Sequence, residues 1–185
     1  TPKTKLILLN NPHNPTGRVF TQEELQGIAD LAIERDVLVI SDEVYEHLRF
    51  DGVRHIPIAT LPGMRERTLT ISSGGKTFNT TGWKVGWACG PAALVKAART
   101  AKQFLTYVSS GPFQPAIAVG LGLPDSFYAG VAADLQAKRD RLLNITLVEA
   151  PDHAKAVEMV EKGEADGFVM DDVLLYGLRA ARTDP

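Results

Sequence analysis

The chain has 185 residues, of which 44% are hydrophobic and 23% charged, and its formal net charge is −2. This composition is typical of a globular protein with one sizeable core or two small ones, and the charge argues against a nucleic-acid partner. No apolar run reaches the ~18 residues that a membrane helix needs, so no membrane location is expected. The single cysteine, Cys89, excludes an internal disulfide and predicts a reducing, cytoplasmic location. Because the chain begins with Thr1 and not with Met, we expect it to be an excerpt of a longer protein.

The first forty residues predict a β-α-β unit. Leu6–Leu9 is an apolar strand candidate, and a turn-rich segment, 10–17, follows it. Thr21-Gln22-Glu23-Glu24 forms a capping box, and apolar residues at helical spacing follow. The next strand candidate, residues 37–40, is a continuous apolar run, which is typical of a parallel strand covered by helices. A crossover of this length favours an open, mostly parallel α/β sheet.

The middle of the chain adds two strands to this sheet. Thr68–Ile71 is the third strand candidate. Val85–Gly90 is the fourth, and it is expected to be antiparallel because only residues 77–84 separate the two. The resulting fold class is a three-layer α/β architecture with one antiparallel strand. Further helices are predicted from Pro91 to about residue 107, over residues 113–122, from about residue 126 to 142, and over residues 154–162.

One lysine follows the third strand in a glycine-containing turn, Ser72-Ser73-Gly74-Gly75-Lys76-Thr77-Phe78. Two glycines let the backbone approach a ligand closely or adopt a positive φ without steric cost. A desolvated lysine amine in such a turn could act as a nucleophile toward a carbonyl group. The alternative is that Lys76 is an ordinary solvated surface lysine.

Other polar residues follow the predicted strands at the same edge of the sheet. Asn14 follows the first strand, Asp42 and Tyr45 follow the second, and Ser73 precedes Lys76 after the third. Ligands of open α/β sheets bind beyond the carboxyl ends of the strands. Each residue also has a structural interpretation, because Asn14 could form the turn, Asp42 could cap a helix and Tyr45 could pack in the core. Their shared location nevertheless indicates a site.

Four segments in order, residues 11–17, 41–45, 73–78 and 81–87, resemble the class I and II aminotransferases of fold type I. Within that family the residues of these segments are similar to those of the branch that contains the kynurenine, glutamine, methionine and succinyldiaminopimelate aminotransferases. The resemblance covers residues 1–143 and implies part of a large domain that binds pyridoxal 5′-phosphate. It also implies transfer of an amino group between an amino acid and a 2-oxo acid, and a homodimer.

The resemblance implies a role for each residue that would contact the ring of the cofactor. Lys76 would form a Schiff base with the cofactor aldehyde and move a proton during the reaction. Asp42 would keep the pyridine nitrogen protonated, so that the ring withdraws electrons effectively. Tyr45 and Asn14 would donate hydrogen bonds to the phenolic oxygen.

The same resemblance implies two contacts with the phosphate of the cofactor. Ser73 would donate a hydrogen bond from its hydroxyl group. Lys84 would supply the positive charge, where many relatives have an arginine with its bidentate fork. The alternative for Lys84 is a surface lysine.

The histidines do not indicate a metal site. They lack the spacing of metal ligands, so none is expected to bind a metal and all are interpreted as loop or surface residues. They are His13, His47, His55 and His153.

Residues 144–185 depart from the aminotransferase pattern and predict a second segment of different origin. Their order of strand, helix, Gly163-Glu164-Ala165-Asp166 and strand resembles a lobe of the periplasmic proteins that bind polar amino acids. By that resemblance Asp171 would pair with the ammonium group of an amino-acid ligand. A non-catalytic amino-acid-binding module and an inactive chimeric fragment are therefore the alternatives to an aminotransferase core.

Overall fold

The structure, a computed structural model, describes residues 3–143 and 150–167. Packing divides the chain into two units, residues 1–139 and 140–185. The strands are β1 Leu6–Asn10, β2 Leu38–Asp42, β3 Thr68–Ser73 and β4 Gly86–Cys89. The helices are α1 Gln22–Glu34, α2 Gly74–Thr77, α3 Ala92–Leu105, α4 Gln114–Leu121, α5 Asp125–Leu143 and α6 His153–Glu161. Short 3-10 turns cover Ile58–Thr60, Thr81–Trp83 and Gly111–Phe113.

The four strands form one sheet in the order β1-β2-β3-β4. β1, β2 and β3 are parallel, and β4 runs antiparallel to β3. The predicted α/β class with one antiparallel strand is therefore confirmed. Asn10 pairs with Asp42 in the register, so the carboxyl ends of β1 and β2 lie at the same height.

Helix α1 covers the sheet and closes the main core. The predicted capping box is present, because the Thr21 hydroxyl accepts from the Glu24 N–H and the Glu24 carboxylate accepts from the Thr21 N–H. The apolar side of α1 is buried in a cluster with residues of β1, β2 and the segment after β2. Its buried members are Leu9, Leu25, Ala29, Ala32, Val39, Ile58, Leu61 and Met64.

The helices that follow the sheet bury far less apolar surface. Pro91 directly precedes α3, and no residue of α3 is buried. Phe104 and Leu105, at the end of this helix, are 83% and 81% exposed. Among the described residues no single helix is both long and apolar enough to cross a membrane. The segments Gly111–Leu121 and Asp125–Leu142, which meet at 97°, satisfy the length and composition requirements only as a bent pair.

The second unit contains one described helix after α5. Helix α6 begins after Asp152, whose carboxylate accepts from the Lys155 N–H at 2.8 Å. Its bounds match the predicted helix 154–162 to within one residue. The strands predicted on either side of α6, and Asp171, lie outside the described residues.

Candidate functional site

The loop after β1 is fastened to the end of β2 by hydrogen bonds. The Asn10 side-chain amide donates to the carbonyl of Asp42 at 3.2 Å, and the Asn11 N–H donates to the same carbonyl at 3.0 Å. The other end of the Asn10 amide, Oδ1, accepts from the Asn14 N–H at 2.8 Å. These bonds place Asn14 beside the carboxyl end of β2.

Asn14, Tyr45 and Lys76 meet at this edge of the sheet. The Asn14 amide donates to the Tyr45 hydroxyl at 3.2 Å. The Lys76 Nζ lies 5.8 Å from the centroid of the Tyr45 ring, which is within the range of a cation–π contact. Lys76 is half-buried, and its amine forms no hydrogen bond or ion pair with any described residue. The amine is therefore available to a ligand.

Asp42 is the last residue of β2 and is half-buried. Its Oδ1 accepts from the Val44 N–H at 3.3 Å, and a turn follows in place of the helix that Asp42 could have capped. Alternation along the strand places the Asp42 side chain on the face opposite to Ser41 and Glu43. One carboxylate thus stands at the strand end, next to the loop that carries Asn14.

A single helical turn, α2, presents Lys76. Ser73 caps it, because its Oγ accepts from the Gly75 N–H at 3.1 Å. Neither Gly74 nor Gly75 has a positive φ, so the backbone conformation of α2 does not require glycine at these positions. Close packing explains them instead. A Cβ on Gly75 would lie 3.0 Å from the Thr81 Cα, and one on Gly74 would lie 2.6 Å from the Ile117 Cδ1.

Lys84 stands apart from these contacts. Its backbone has φ 54° and ψ 41°, and its side chain is exposed. The next residue, Val85, accepts a hydrogen bond from the Gly74 N–H at 3.0 Å, so the Lys84 backbone lies close to the α2 turn. The Lys84 side chain makes no hydrogen bond or ion pair with the described residues. Five of the six residues predicted to bind the cofactor therefore lie at one strand edge, and the sixth is adjacent in the backbone.

His55 lies in the loop after β2, so only the alternative expectation, a surface side chain, is wrong. The His55 side chain is only 6% exposed, and its Nε2 lies 2.8 Å from Oε2 of Glu43, which is 5% exposed. The Ser41 hydroxyl donates to the other carboxylate oxygen at 2.8 Å. Strand alternation places Ser41 and Glu43 on the same face, but no sequence signal identifies His55, twelve residues further on, as their partner.

A second histidine lies close to the site. The His47 ring stacks on Tyr128 with a centroid distance of 4.2 Å. Burial lowers the pKa of His47, and the neighbouring Glu46 carboxylate opposes this shift in part. Glu46 in turn accepts from the Ser72 hydroxyl at 2.7 Å. The described residues contain no cluster of side chains that could hold a metal ion.

A cleft of about 620 Å³ opens beside the Asn14–Tyr45 pair. Arg139 also lines this cleft; it forms two hydrogen bonds with Asp51, of 2.7 and 2.8 Å, and its guanidinium lies 5.1 Å from the Phe50 ring centroid. The hydrogen bonds from Arg139 lower the pKa of Asp51. Sequence reasoning missed this pair, because 88 positions separate its members.

The carboxyl ends of this mostly parallel sheet thus carry a carboxylate and a lysine that has no hydrogen-bond or ion-pair partner among the described residues, an arrangement that can bond covalently to a carbonyl group. The family model for aminotransferases of class I and II matches residues 1–150. The chain belongs to this family, and its sheet is part of the fold type I large domain. Members of the family depend on pyridoxal 5′-phosphate.

Individual relatives agree with the family. A probable N-succinyldiaminopimelate aminotransferase of Mycobacterium tuberculosis is 54% identical over 142 residues, which are 77% of this chain and 36% of the relative. Kynurenine–oxoglutarate transaminase 3 of Rattus norvegicus is 50% identical over 147 residues, or 76% of this chain and 32% of the relative. The chain thus spans about a third of the length of the curated relatives it matches.

Solved structures give the same result. The N-succinyldiaminopimelate aminotransferase structure from Mycobacterium tuberculosis superposes with a TM-score of 0.75 at 54% identity, over 77% of this chain and 37% of that chain. YbdL of Escherichia coli, whose structure and reactivity identify a methionine aminotransferase function, superposes with a TM-score of 0.73 at 37% identity. This match covers 78% of this chain and 38% of that chain.

Proposed function

We propose that the chain is the cofactor-binding core of an aminotransferase that transfers an amino group between an amino acid and a 2-oxo acid. One observation carries the proposal. The Lys76 amine has no partner among the described residues and lies against the Tyr45 ring, whose hydroxyl is bonded to Asn14. An amine kept free of ion pairs at a ligand-binding strand edge is suited to covalent bonding with a carbonyl carbon.

The residues at the strand edge fit pyridoxal phosphate in their chemistry. Lys76 offers an amine for the aldehyde carbon, and the Asp42 carboxylate offers a negative charge for the protonated ring nitrogen. The Asn14–Tyr45 pair offers polar hydrogens for the phenolic oxygen. Because one hydrogen bond already fixes Asn14 and Tyr45 relative to each other, little order is lost when they bind a ligand.

Two residues would hold the phosphate group. The Ser73 hydroxyl lies at the start of the α2 turn, accepts from the Gly75 N–H, and donates to the Val85 carbonyl in a long hydrogen bond of 3.4 Å that a phosphate oxygen would replace. The Lys84 ammonium has no competing partner among the described residues, so pairing with a phosphate breaks no existing ion pair. A lysine supplies charge without the bidentate geometry of an arginine, which makes this contact less directional.

The reaction assigned to these residues is a proton transfer. Bound pyridoxal phosphate supplies an electron sink for the bonds at the substrate α-carbon. The Lys76 amine would hold the cofactor at its aldehyde carbon and, as a neutral amine, would move a proton between the substrate α-carbon and C4′ of the cofactor. The Asp42 carboxylate would face the ring nitrogen, and Tyr45 with Asn14 would orient the ring through its phenolic oxygen.

The relatives suggest substrates only by class. Their names refer to N-succinyldiaminopimelate and kynurenine, which are amino acids, and to oxoglutarate, which is a 2-oxo acid. We propose the same general class for this chain. Homodimer formation and a cytoplasmic location stay predictions, as does the absence of a membrane location.

The origin of the C-terminal residues stays a prediction as well. The family model ends at residue 150, a few residues beyond the predicted boundary at 143. The proposed resemblance of residues 144–185 to an amino-acid-binding lobe rests on the residue pattern, and Asp171 lies outside the described residues.

Titration with pyridoxal phosphate tests the proposed function. We expect a saturable visible absorption band with one cofactor per chain, and its loss in Lys76→Ala. Lys96→Ala serves as the control, because Lys96 lies on the exposed helix α3. A wild-type chain without a saturable band would refute the proposal, as would a band that Lys76→Ala retains.

A further inference from the structure

The buried pair of Glu43 and His55 has no role in the chemistry proposed above. Both side chains are nearly inaccessible to solvent, and the Glu43 Oε2 to His55 Nε2 distance is 2.8 Å. With the Ser41 hydroxyl on Oε1, both carboxylate oxygens of Glu43 are occupied. The opposite ring nitrogen of His55, Nδ1, is buried without a partner among the described residues.

Filling a core with such a cluster is unfavourable in free energy. Burying ionisable groups carries a large desolvation penalty, and well-packed apolar residues of similar volume often give equal or greater stability. The unpartnered Nδ1 of His55 adds to that penalty. Stability alone therefore does not account for the pair, and its location suggests a different use.

The pair is adjacent to Asp42 through Glu43, which is the next residue in the chain. Strand alternation directs the Glu43 side chain to the face of the sheet opposite to that of the Asp42 side chain. The Glu43 N–H donates to the Ile71 carbonyl on β3 at 2.8 Å, while the Asp42 carbonyl accepts from the loop after β1. The peptide group between Asp42 and Glu43 is therefore held from both neighbouring strands, and the Glu43 side chain holds it from the core.

His55 connects this anchor to the main core. It lies three residues before Ile58, which is fully buried in the core cluster. The imidazole thus links the buried segment around Ile58 to the carboxylate of Glu43. Support from a packed core keeps a neighbouring functional group in its working geometry.

We propose that Glu43 and His55 are positioning residues that fix the Asp42 carboxylate for the ring nitrogen of the cofactor. This inference rests on the proposed function, because Asp42 is assigned to the cofactor there. Glu43 acts through the backbone of Asp42 and has no contact with the ligand itself. Its two hydrogen bonds, and not only its charge, are what the site requires.

The test compares the visible spectrum and the dissociation constant of bound pyridoxal phosphate among variants. We expect Glu43→Ala to shift the absorption maximum in the same direction as Asp42→Asn and to weaken binding about tenfold. Glu43→Gln can keep both hydrogen bonds, because its Oε1 accepts from one partner and its Nε2 donates to the other in a bond of reversed direction, so it should remain within about threefold of the wild-type affinity. A folded Glu43→Ala chain with the wild-type spectrum and affinity would overturn the inference. Equal losses in the two variants would also overturn it.

A milder variant keeps the test decisive if Glu43→Ala does not fold. Ser41→Ala removes one hydrogen bond to Glu43 and should cause a smaller shift in the same direction. Thr68→Val is the matched control, since it removes a buried hydroxyl that has no partner among the described residues, and it should leave the spectrum unchanged. An unchanged spectrum in Ser41→Ala would contradict the positioning role.

A readout without cofactor separates this inference from the proposed function. The Asn11 N–H donates to the Asp42 carbonyl, so its hydrogen exchange reports how firmly Asp42 is held. We expect faster exchange at Asn11 in Glu43→Ala and in Ser41→Ala, but not in Thr68→Val. If the wild-type chain shows no cofactor band, the proposed function fails, and unchanged exchange at Asn11 would separately refute the anchoring of Asp42.

Discussion

The carboxyl edge of strands β1–β3 and the surface of helix α3 differ in how far the apolar side chains around them are buried. Behind the edge, α1 and the strands enclose Leu25 and Val39 completely. On α3 no residue is buried, and Leu105 is 81% exposed. The difference shows that the residues of the candidate site are supported by a core that lies within residues 1–139, and that α3 contributes little to that support.

The polar groups differ in the same way. At the strand edge, Asn10, Asn11 and Glu43 form a connected set of hydrogen bonds around Asp42. On α3 the side-chain hydrogen bonds are local, such as that from Thr100 to the Lys96 carbonyl. A connected set of bonds fixes geometry better than isolated local ones, so the strand edge is the more rigid region.

The largest expected effect is a difference in the free energy of unfolding when the same Leu→Ala substitution is made in both regions. Leu25→Ala leaves a cavity in the core and should lower the free energy of unfolding by about 2–5 kcal/mol. Leu105→Ala removes an exposed side chain and should change it by less than about 0.5 kcal/mol. Urea denaturation followed by circular dichroism measures both values. Comparable losses in the two variants would contradict the contrast between the regions.

A smaller effect is expected from the glycine that shapes the α2 turn. Gly75→Ala places a Cβ 3.0 Å from the Thr81 Cα, a backbone atom that moves only with its segment, and should cost about 1–3 kcal/mol. The affinity for pyridoxal phosphate should fall as well, because Lys76 is displaced. Gly27→Ala is the matched control, since its Cβ meets no atom within 4 Å in helix α1, and it should stabilise the chain by about 0.5–1 kcal/mol. Unaltered cofactor affinity in Gly75→Ala would refute the packing role.

The smallest effect is expected at the cleft, and it depends on pH. The hydrogen bonds from Arg139 lower the pKa of Asp51 in the folded chain. Their contribution to stability is therefore present above the unfolded-state pKa of Asp51 and is lost as the pH falls through the lowered, folded-state pKa. Asp51→Asn should lower the melting temperature slightly at neutral pH and not in strong acid. A difference that persists unchanged in acid would contradict the ion pair.

The parts of the fold that sequence reasoning predicted depend on local signals. β-Branched and apolar runs indicated the four strands, and Thr21 with Glu24 indicated the start of α1. The parallel order then brought Asn14 and Asp42 to one edge, because the carboxyl ends of adjacent parallel strands coincide. Local pattern and strand direction were sufficient for these features.

The parts that could not be predicted depend on contacts between distant residues. His55 meets Glu43 only because the segment after β2 returns to the core, and Asp51 meets Arg139 across 88 positions. The glycines of α2 were expected to permit a close ligand approach or a positive φ; the positive φ is absent, and a neighbouring backbone segment is what excludes a side chain at Gly75. Pattern and periodicity do not encode which side chains meet through tertiary packing.

Covalent labelling of Lys76 tests the central claim most directly. The chain is incubated with pyridoxal phosphate, reduced with borohydride and digested, and the modified peptide is identified by mass spectrometry. We expect one reduced cofactor per chain on the peptide that carries Lys76, and a several-fold slower labelling of Lys84 and Lys96. Equal labelling of all three lysines, or no adduct on Lys76, would contradict the assignment of Lys76 as the residue that binds the cofactor covalently.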